Sequence, residues 1–156
     1  MTPLFKKLNL AEFDKIHVLD APASFEVELE ALRGVAVERK VKGKLRFALA
    51  FVTTLEQVAK ATDALTGAAD GDAVLWMVYP KASSKRIRCE FTRDTGWQAM
   101  GTAGYEPVSQ VAVDEDWSAL RFRKAEYIKT MKRNPDGAIS TTGRKKALSA
   151  RAPNRK

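Results

Sequence analysis

Two uninterrupted apolar segments, 47–52 and 73–79, dominate the hydrophobic pattern of this chain. A strand that is covered on both faces needs such a run, whereas a strand with one wet face alternates apolar and polar residues. Between the two segments, apolar residues recur at helical intervals over 55–65, and Thr54 and Gln57 have the spacing of a capping box. The pattern predicts two parallel strands joined by a helix, and therefore a sheet with helices on both faces.

A further strand and helix precede this unit. Residues 16–19 form a short apolar strand pattern, and the turn 20–22 follows it. Ser24 is placed to cap a helix that carries apolar residues on one face and ends at Gly34. Residues 35–41 then alternate apolar with polar side chains, which predicts a short edge strand.

The second half of the domain predicts a helix and a closing hairpin. The helix is expected over 93–103, followed by a strand over 108–113 and an acidic turn over 114–117. Alternating apolar and basic residues over 120–123 predict the returning strand. The expected fold class is α/β, a three-layer, Rossmann-like, mainly parallel sheet that ends in an antiparallel β-hairpin, within one domain over 1–132.

Charge divides the chain into a neutral domain and a basic tail. Of 27 Lys and Arg residues and 19 Asp and Glu residues, nine basic residues and one acid lie in 129–156, so this segment carries the whole net charge of +8. Residues 133–156 are rich in Ser, Thr, Ala, Lys and Arg and follow the helix-breaking run 134–137, which predicts a disordered C-terminal tail. Residues 1–128 carry 18 basic and 18 acidic residues, so their formal charges sum to zero.

Composition places the protein among cytoplasmic globular proteins. No apolar run approaches the roughly 18 residues of a membrane span, and the N-terminal segment 1–10 has no apolar core typical of a secretory signal. Cys89 is the one cysteine of the sequence, which excludes an internal disulfide and fits a reducing compartment.

Three sequence blocks in the second half resemble a known family. They read VLWMVYPKASSK, RDTGWQAMGTAGY and VAVDEDWSALRFRK. As a set they resemble a bacterial domain-of-unknown-function family of small Rossmann-like α/β proteins, over a stretch from about Met1 to Arg133. The resemblance implies a Rossmann-like fold and nothing about chemistry.

A ligand site is expected where the parallel strands end, because open α/β sheets bind ligands outside the carboxyl ends of their strands. The ordinary alternatives are that the serines form a surface loop, that the acids form a solvated turn, and that the tryptophan packs against the hairpin. The candidate residues for an anionic small molecule are Asp20, Lys81, Ser83, Ser84, Lys85, Asp114, Asp116 and Trp117.

Neither a cofactor nor a metal is predicted, and catalytic residues are not assigned. The first turn, 19–24, has no glycine for a dinucleotide fingerprint, and Pro22 removes a backbone donor. His17 lies within a strand, where a core histidine is expected. Cys89 is flanked by cations able to lower its pKa, yet no partner histidine is apparent, so an inert thiol is expected.

The tail suggests a polyanion contact, with a solubilising terminus as the alternative. We therefore expect a non-catalytic binding or accessory protein whose tail contacts nucleic acid or another polyanion, and no membrane. The alternative is an enzyme or small-ligand binder that uses the strand-end cleft for an anionic small molecule. The candidate polyanion-binding residues are Arg144, Lys145, Lys146, Arg151, Arg155 and Lys156.

Overall fold

The structure is a computed structural model that describes residues 2–128 and 139–140. Its strands are β1 (Lys15–Leu19), β2 (Ala36–Glu38), β3 (Leu45–Phe51), β4 (Ala69–Pro80), β5 (Tyr105–Ala112) and β6 (Trp117–Lys124). Its α-helices are α1 (Pro3–Lys7), α2 (Glu26–Glu30), α3 (Leu55–Ala68) and α4 (Gln98–Thr102). Short 3₁₀ turns cover Ala23–Phe25 and Ala125–Tyr127.

The six strands form one sheet in the order β2-β1-β3-β4-β6-β5. Strands β2, β1, β3 and β4 pair in parallel, and β6 runs antiparallel to both β4 and β5. The predicted fold class, a Rossmann-like α/β sheet that is mainly parallel and ends in an antiparallel hairpin, is confirmed. Because β6 reverses direction, its first residue lies at the same edge of the sheet as the last residues of β3, β4 and β5.

Both faces of the central strands are buried, as their continuous apolar runs require. In β3, Phe47, Leu49 and Phe51 belong to one core, which includes α1 and α2, whereas Ala48 and Ala50 belong to the other, which includes α3 and α4. We call these the first and second faces of the sheet. The alternation places every second residue of β4 and β6 on the same face.

Helix α3 begins as its sequence predicts. The Thr54 hydroxyl accepts a hydrogen bond from the Gln57 amide at 3.1 Å, and Gln57 Oε1 accepts one from the Thr54 amide at 3.2 Å, which completes the capping box. Val58 and Leu65 are buried beneath the helix. Leu55, expected on the same face, is instead 50% exposed because it is the first helical residue and lies at the edge of the contact.

The N-terminal helix α1 was not predicted, because five residues are too few to show a periodic pattern. Thr2 caps it by accepting a hydrogen bond from the Phe5 amide at 3.2 Å, and Phe5 and Leu8 are fully buried. The indole Nε1 of Trp76 donates to the Leu8 carbonyl at 2.9 Å. This bond attaches the N-terminal segment to the middle of the sheet.

Two predicted helices are shorter than their sequence patterns suggest. The helix expected over 93–103 is α4 alone, because the hydroxyls of Thr92 and Thr95 form a local turn and Gly96 adopts a φ of 92°. Ser24 lies inside a 3₁₀ turn whose Phe25 amide bonds the Pro22 carbonyl at 2.9 Å, and it makes no capping bond.

Part of the predicted tail contacts the domain. Ile139 packs against the second face, and Ser140 is only 3% exposed. The other tail residues, including all six candidate polyanion-binding residues, lie outside the described residues. Within the described ranges, no helix has the length and hydrophobicity needed to cross a bilayer.

Candidate functional site

The predicted site residues lie at one edge of the sheet, where β1 and β4 end and the β5–β6 turn begins. Asp20 follows β1, Lys81 follows β4, and Asp114 and Asp116 form the hairpin turn. The Lys81 amide donates to the Asp116 carbonyl at 2.8 Å, so the connection after β4 is in direct contact with the turn. These segments lie near one another because the carboxyl ends of parallel strands are at the same edge of a sheet.

The carboxylates of the hairpin turn bind groups of the protein itself. Asp114 Oδ1 accepts hydrogen bonds from the amides of Asp116 and Trp117, both at 2.8 Å. Asp116 Oδ1 accepts one from the Ser84 hydroxyl at 2.9 Å, and Arg86 lies 3.7 Å from its other oxygen. These acids therefore stabilise the turn and join it to the preceding loop, and the cavity described below is lined by other side chains.

Trp117 is a core residue of the first face. Its side chain is 6% exposed, and its ring meets that of Phe51 edge-on, with the centroids 5.2 Å apart. Asp20, by contrast, is exposed and adopts a φ of 58° two strands away from β4. Lys85 is also exposed and makes no part of the cavity wall. The structure thus separates residues that the sequence placed in one cleft.

A cavity of about 630 Å³ opens on the second face at the carboxyl end of β4. We call it the trough. Two predicted residues, Lys81 and Ser83, line it, and Asp94 lies at its rim. Its lining also includes Tyr79, Phe91, Arg93, Gln110 and Ser118.

One wall of the trough is a hydrogen-bonded set of polar side chains on three neighbouring strands. Tyr79 of β4 and Ser118 of β6 are register partners, and Gln110 of β5 points to the same face. Gln110 Nε2 donates to Tyr79 Oη at 3.0 Å and to Ser118 Oγ at 2.7 Å. The contacts hold both hydroxyl oxygens in fixed positions.

The Tyr79 phenol is a neutral proton donor over the physiological range. Burial raises its pKa above the ordinary value, and hydrogen bonding to Ser118 and the positive charge of Arg93 offset only part of that rise. The ring of Phe91 lies 6.0 Å from that of Tyr79, so the floor of the trough is aromatic.

The charged groups at the rim favour an anion. Lys81 and Arg93 contribute two positive charges, and Asp94 contributes one negative charge. Sequence reasoning found Lys81 but missed Arg93, which it placed inside a helix. The signal was available in the glycine and hydroxyl residues around Arg93, which are typical of a loop.

Cys89 and His17 do not line the trough. Burial raises the pKa of the Cys89 thiol, contrary to the lowering that its cationic neighbours suggested, and this supports the expectation of an inert thiol. His17 is 1% exposed on β1, and neither ring nitrogen contacts a hydrogen-bond partner among the described residues. It is a core residue, as expected.

Comparison with protein-family models gives no match, and neither does comparison with curated proteins. Solved structures do match. A SAM-dependent methyltransferase from Aquifex aeolicus aligns with 77% of this chain and 87% of its own, with a TM-score of 0.56 and 15% identity. NodS, an N-methyltransferase from Bradyrhizobium japonicum, covers 76% of this chain and 91% of its own, with a TM-score of 0.48 and 12% identity.

A third similar structure is the pyocyanin biosynthetic protein PhzM, with a TM-score of 0.49 and 12% identity. The alignment covers 78% of this chain and 54% of PhzM, so the chain spans about half of that protein. At these identities the likeness is one of fold.

The turn after β1 does not fit SAM, the cofactor named for the Aquifex methyltransferase. In Rossmann-like folds a ligand approaches the backbone closely at this turn, which glycine permits. Here Asp20 carries a side chain at a positive φ, Pro22 has no N–H, and the buried ring of Phe25 lies 4.9 Å from that of Phe51. Aromatic packing fills the space beneath the turn.

The comparisons overturn the main functional prediction. The expected non-catalytic accessory protein, acting on nucleic acid or another polyanion through its tail, is wrong, because the domain shares its fold with a SAM-dependent methyltransferase, which is a catalytic protein. This likeness supports the alternative prediction, a strand-end cleft, better than the main one. The trough has the position of such a cleft, at the carboxyl end of β4.

Proposed function

We propose that the protein binds a small anionic molecule with a flat apolar or aromatic portion in the trough and, as an enzyme, acts on it there. The observation that carries the proposal is the polar wall of Tyr79, Gln110 and Ser118, held beside Arg93 and above an aromatic floor. A cavity of about 630 Å³ lies within the size range of sites for small molecules.

The two cations at the rim give the site its preference for anions. Lys81 is partly buried and Arg93 is exposed, and both line the trough, so an anionic group bound there lies near two positive charges. A hydrogen bond to a charged group contributes about 1.5–3 kcal/mol. Loss of the Arg93 guanidinium should therefore weaken binding by about ten-fold or more.

Titration with phenyl phosphate tests the proposal, with benzyl alcohol as the neutral counterpart. We expect phenyl phosphate to shift the NMR signals of Tyr79, Gln110 and Ser118 and benzyl alcohol to bind more weakly. Arg93→Ala should lose about ten-fold in affinity, whereas the matched control Arg88→Ala should stay within about two-fold, because Arg88 is exposed at the same edge but outside the trough wall. Equal affinity for the charged and neutral probes, or equal losses in the two variants, would refute the anion site.

Methyl transfer to the bound molecule is a second candidate, favoured by the fold shared with the Aquifex methyltransferase. The turn after β1 argues against it for the reasons given above. Calorimetric titration with SAM decides the matter directly, and binding in the micromolar range with signal changes at Asp20 and Ala21 would support methyl transfer. An absence of heat and of signal changes would remove it.

A further inference from the structure

A fully buried carboxyl group on β5 is engaged by the C-terminal segment. Glu106 is 0% exposed, and its Oε1 accepts a hydrogen bond from the Ile139 amide at 3.0 Å. Its Oε2 accepts bonds from the Ser140 amide and from the Ser140 hydroxyl, the latter at 2.6 Å. A buried carboxyl group is costly unless it is hydrogen-bonded, so the pairing specifies where this segment docks.

The surface that receives Ile139 is shaped by a glycine in a helix. Gly101 lies inside α4, where glycine costs about 1 kcal/mol relative to alanine. A Cβ atom built on Gly101 would overlap the carbonyl group of Ile139. The Gln98 amide nitrogen donates to the same carbonyl oxygen at 3.3 Å. The unfavourable residue in the helix is thus explained by the docked segment.

The docked segment forms a wall of a second cavity of about 330 Å³. This lower pocket lies next to the trough along the β5–β6 hairpin, since Gln110 and Ser118 line the trough while Ser109 and Leu120 line the pocket. Arg93 and Asp94 line both cavities and lie at the boundary between them. Ile139 is therefore positioned on the same ligand surface as the proposed site.

We propose that Ile139 and Ser140 form an intramolecular strap that completes the lower pocket, so that docking of the strap and binding of the anionic molecule stabilise each other. This inference rests on the proposed function, because the ligand is the one that occupies the trough. The coupling acts through Arg93, whose side chain contacts both cavities. By linkage, the ligand then strengthens docking of the strap by the same factor by which the strap strengthens ligand binding.

Gly101→Ala tests the strap, with Gly67→Ala as its matched control. Both substitutions add one methyl group to a helix, but nothing lies within 4 Å of a Cβ at Gly67. We expect the Ile139 and Ser140 amides of the full-length chain to exchange with solvent about ten-fold faster in Gly101→Ala and at the native rate in Gly67→Ala. Ser140→Ala, which removes one bond to Glu106 and leaves the domain unaltered, should accelerate exchange of the Ile139 amide.

Phenyl phosphate provides the coupling measurement. In the native chain it should slow exchange at Ile139 and Ser140, and Gly101→Ala should bind it about five-fold more weakly than Gly67→Ala. Unprotected amides in the native chain would overturn the strap and leave the proposed function intact. Protected amides with equal probe affinity in the two variants would overturn the coupling, and failure of the native chain to bind would overturn the coupling and the proposed function together.

Discussion

Two regions at the same edge of the sheet differ in what they can bind. At the end of β1, Asp20 adopts a positive φ, Pro22 lacks an N–H, and the ring of Phe25 packs against that of Phe51. At the end of β4, the chain leaves the sheet beside a polar wall and an aromatic floor, and a cavity remains open. The fold is shared with methyltransferases, but the open region is not the one at which Rossmann-like folds bind a cofactor.

The difference shows that strand topology determines where the ends meet and that local side chains decide which end is open. Parallel pairing of β1, β3 and β4 places the carboxyl ends of all three strands at one edge of the sheet. The rings of Phe25 and Phe51 pack together at one end, whereas Tyr79 and Ser118 belong to the polar wall of the trough at the other. Fold likeness therefore leaves the position of a site to side-chain chemistry.

The largest expected effect is on the stability of the domain, and it tests whether Trp117 lies outside the ligand site. Trp117→Ala should destabilise the domain by about 3–5 kcal/mol, because it removes a buried ring packed on Phe51 in the closed part of the edge. Urea unfolding followed by circular dichroism measures the loss.

The conservative variant Trp117→Phe supplies the control. It keeps an aromatic ring against Phe51, so the free energy of unfolding should fall by less than about 1.5 kcal/mol. Its affinity for phenyl phosphate should stay close to that of the native chain. An affinity loss as large as that of Arg93→Ala would place Trp117 in the ligand site and erase the distinction between the two regions.

The sequence was sufficient to predict the sheet because its strands satisfy simple rules. Continuous apolar runs identified β3 and β4, and the capping box located the start of α3 to the residue. The acidic turn predicted the β5–β6 hairpin, and the structure adds the reason: Asp114 accepts hydrogen bonds from the amides of Asp116 and Trp117. Each of these features depends on residues close together in the chain.

The trough could not be predicted in the same way, because its wall is assembled from distant residues. Tyr79, Gln110 and Ser118 lie on three strands and meet only through the register of the antiparallel pairs. Arg93 was assigned to a helix because apolar spacing outweighed the local turn signals around it. The contact of Glu106 with Ser140 spans 34 positions and carries no sequence motif.

Removal of the Tyr79 hydroxyl tests the polar wall of the trough. Tyr79→Phe should destabilise the domain by about 0.5–1.5 kcal/mol near neutral pH, because Gln110 loses a hydrogen-bond acceptor. The difference in unfolding free energy between the native chain and Tyr79→Phe should depend on pH. Burial raises the pKa of Tyr79, so the folded state holds the phenol proton more tightly than the unfolded state does. The stability that comes from the protonated phenol is fully present below the unfolded pKa of about 10.

As the pH rises through the folded pKa of Tyr79, the native chain loses the stability that the protonated phenol gives. Tyr79→Phe has no phenol to ionise at this position and does not lose it. Unfolding curves at neutral pH and at about pH 11 should therefore show the gap between the two proteins narrowing. Burial also raises the pKa of Tyr105, but that residue is present in both proteins and cancels in the comparison. A gap that stays constant would mean that Tyr79 is solvated and that the wall is not formed.

The smallest expected effect tests the closed region. Asp20 adopts a φ of 58°, a conformation that glycine accepts more readily, so Asp20→Gly should stabilise the domain by up to about 1 kcal/mol. Because Asp20 lies two strands from β4, phenyl phosphate affinity should remain within about two-fold of the native value. A weaker affinity in Asp20→Gly would mean that the carboxylate or the conformation of the β1 turn reaches the ligand. The two regions would then be parts of one site. Asp20 does not line the trough, so its substitution can affect the bound anion only across the shared edge of the sheet.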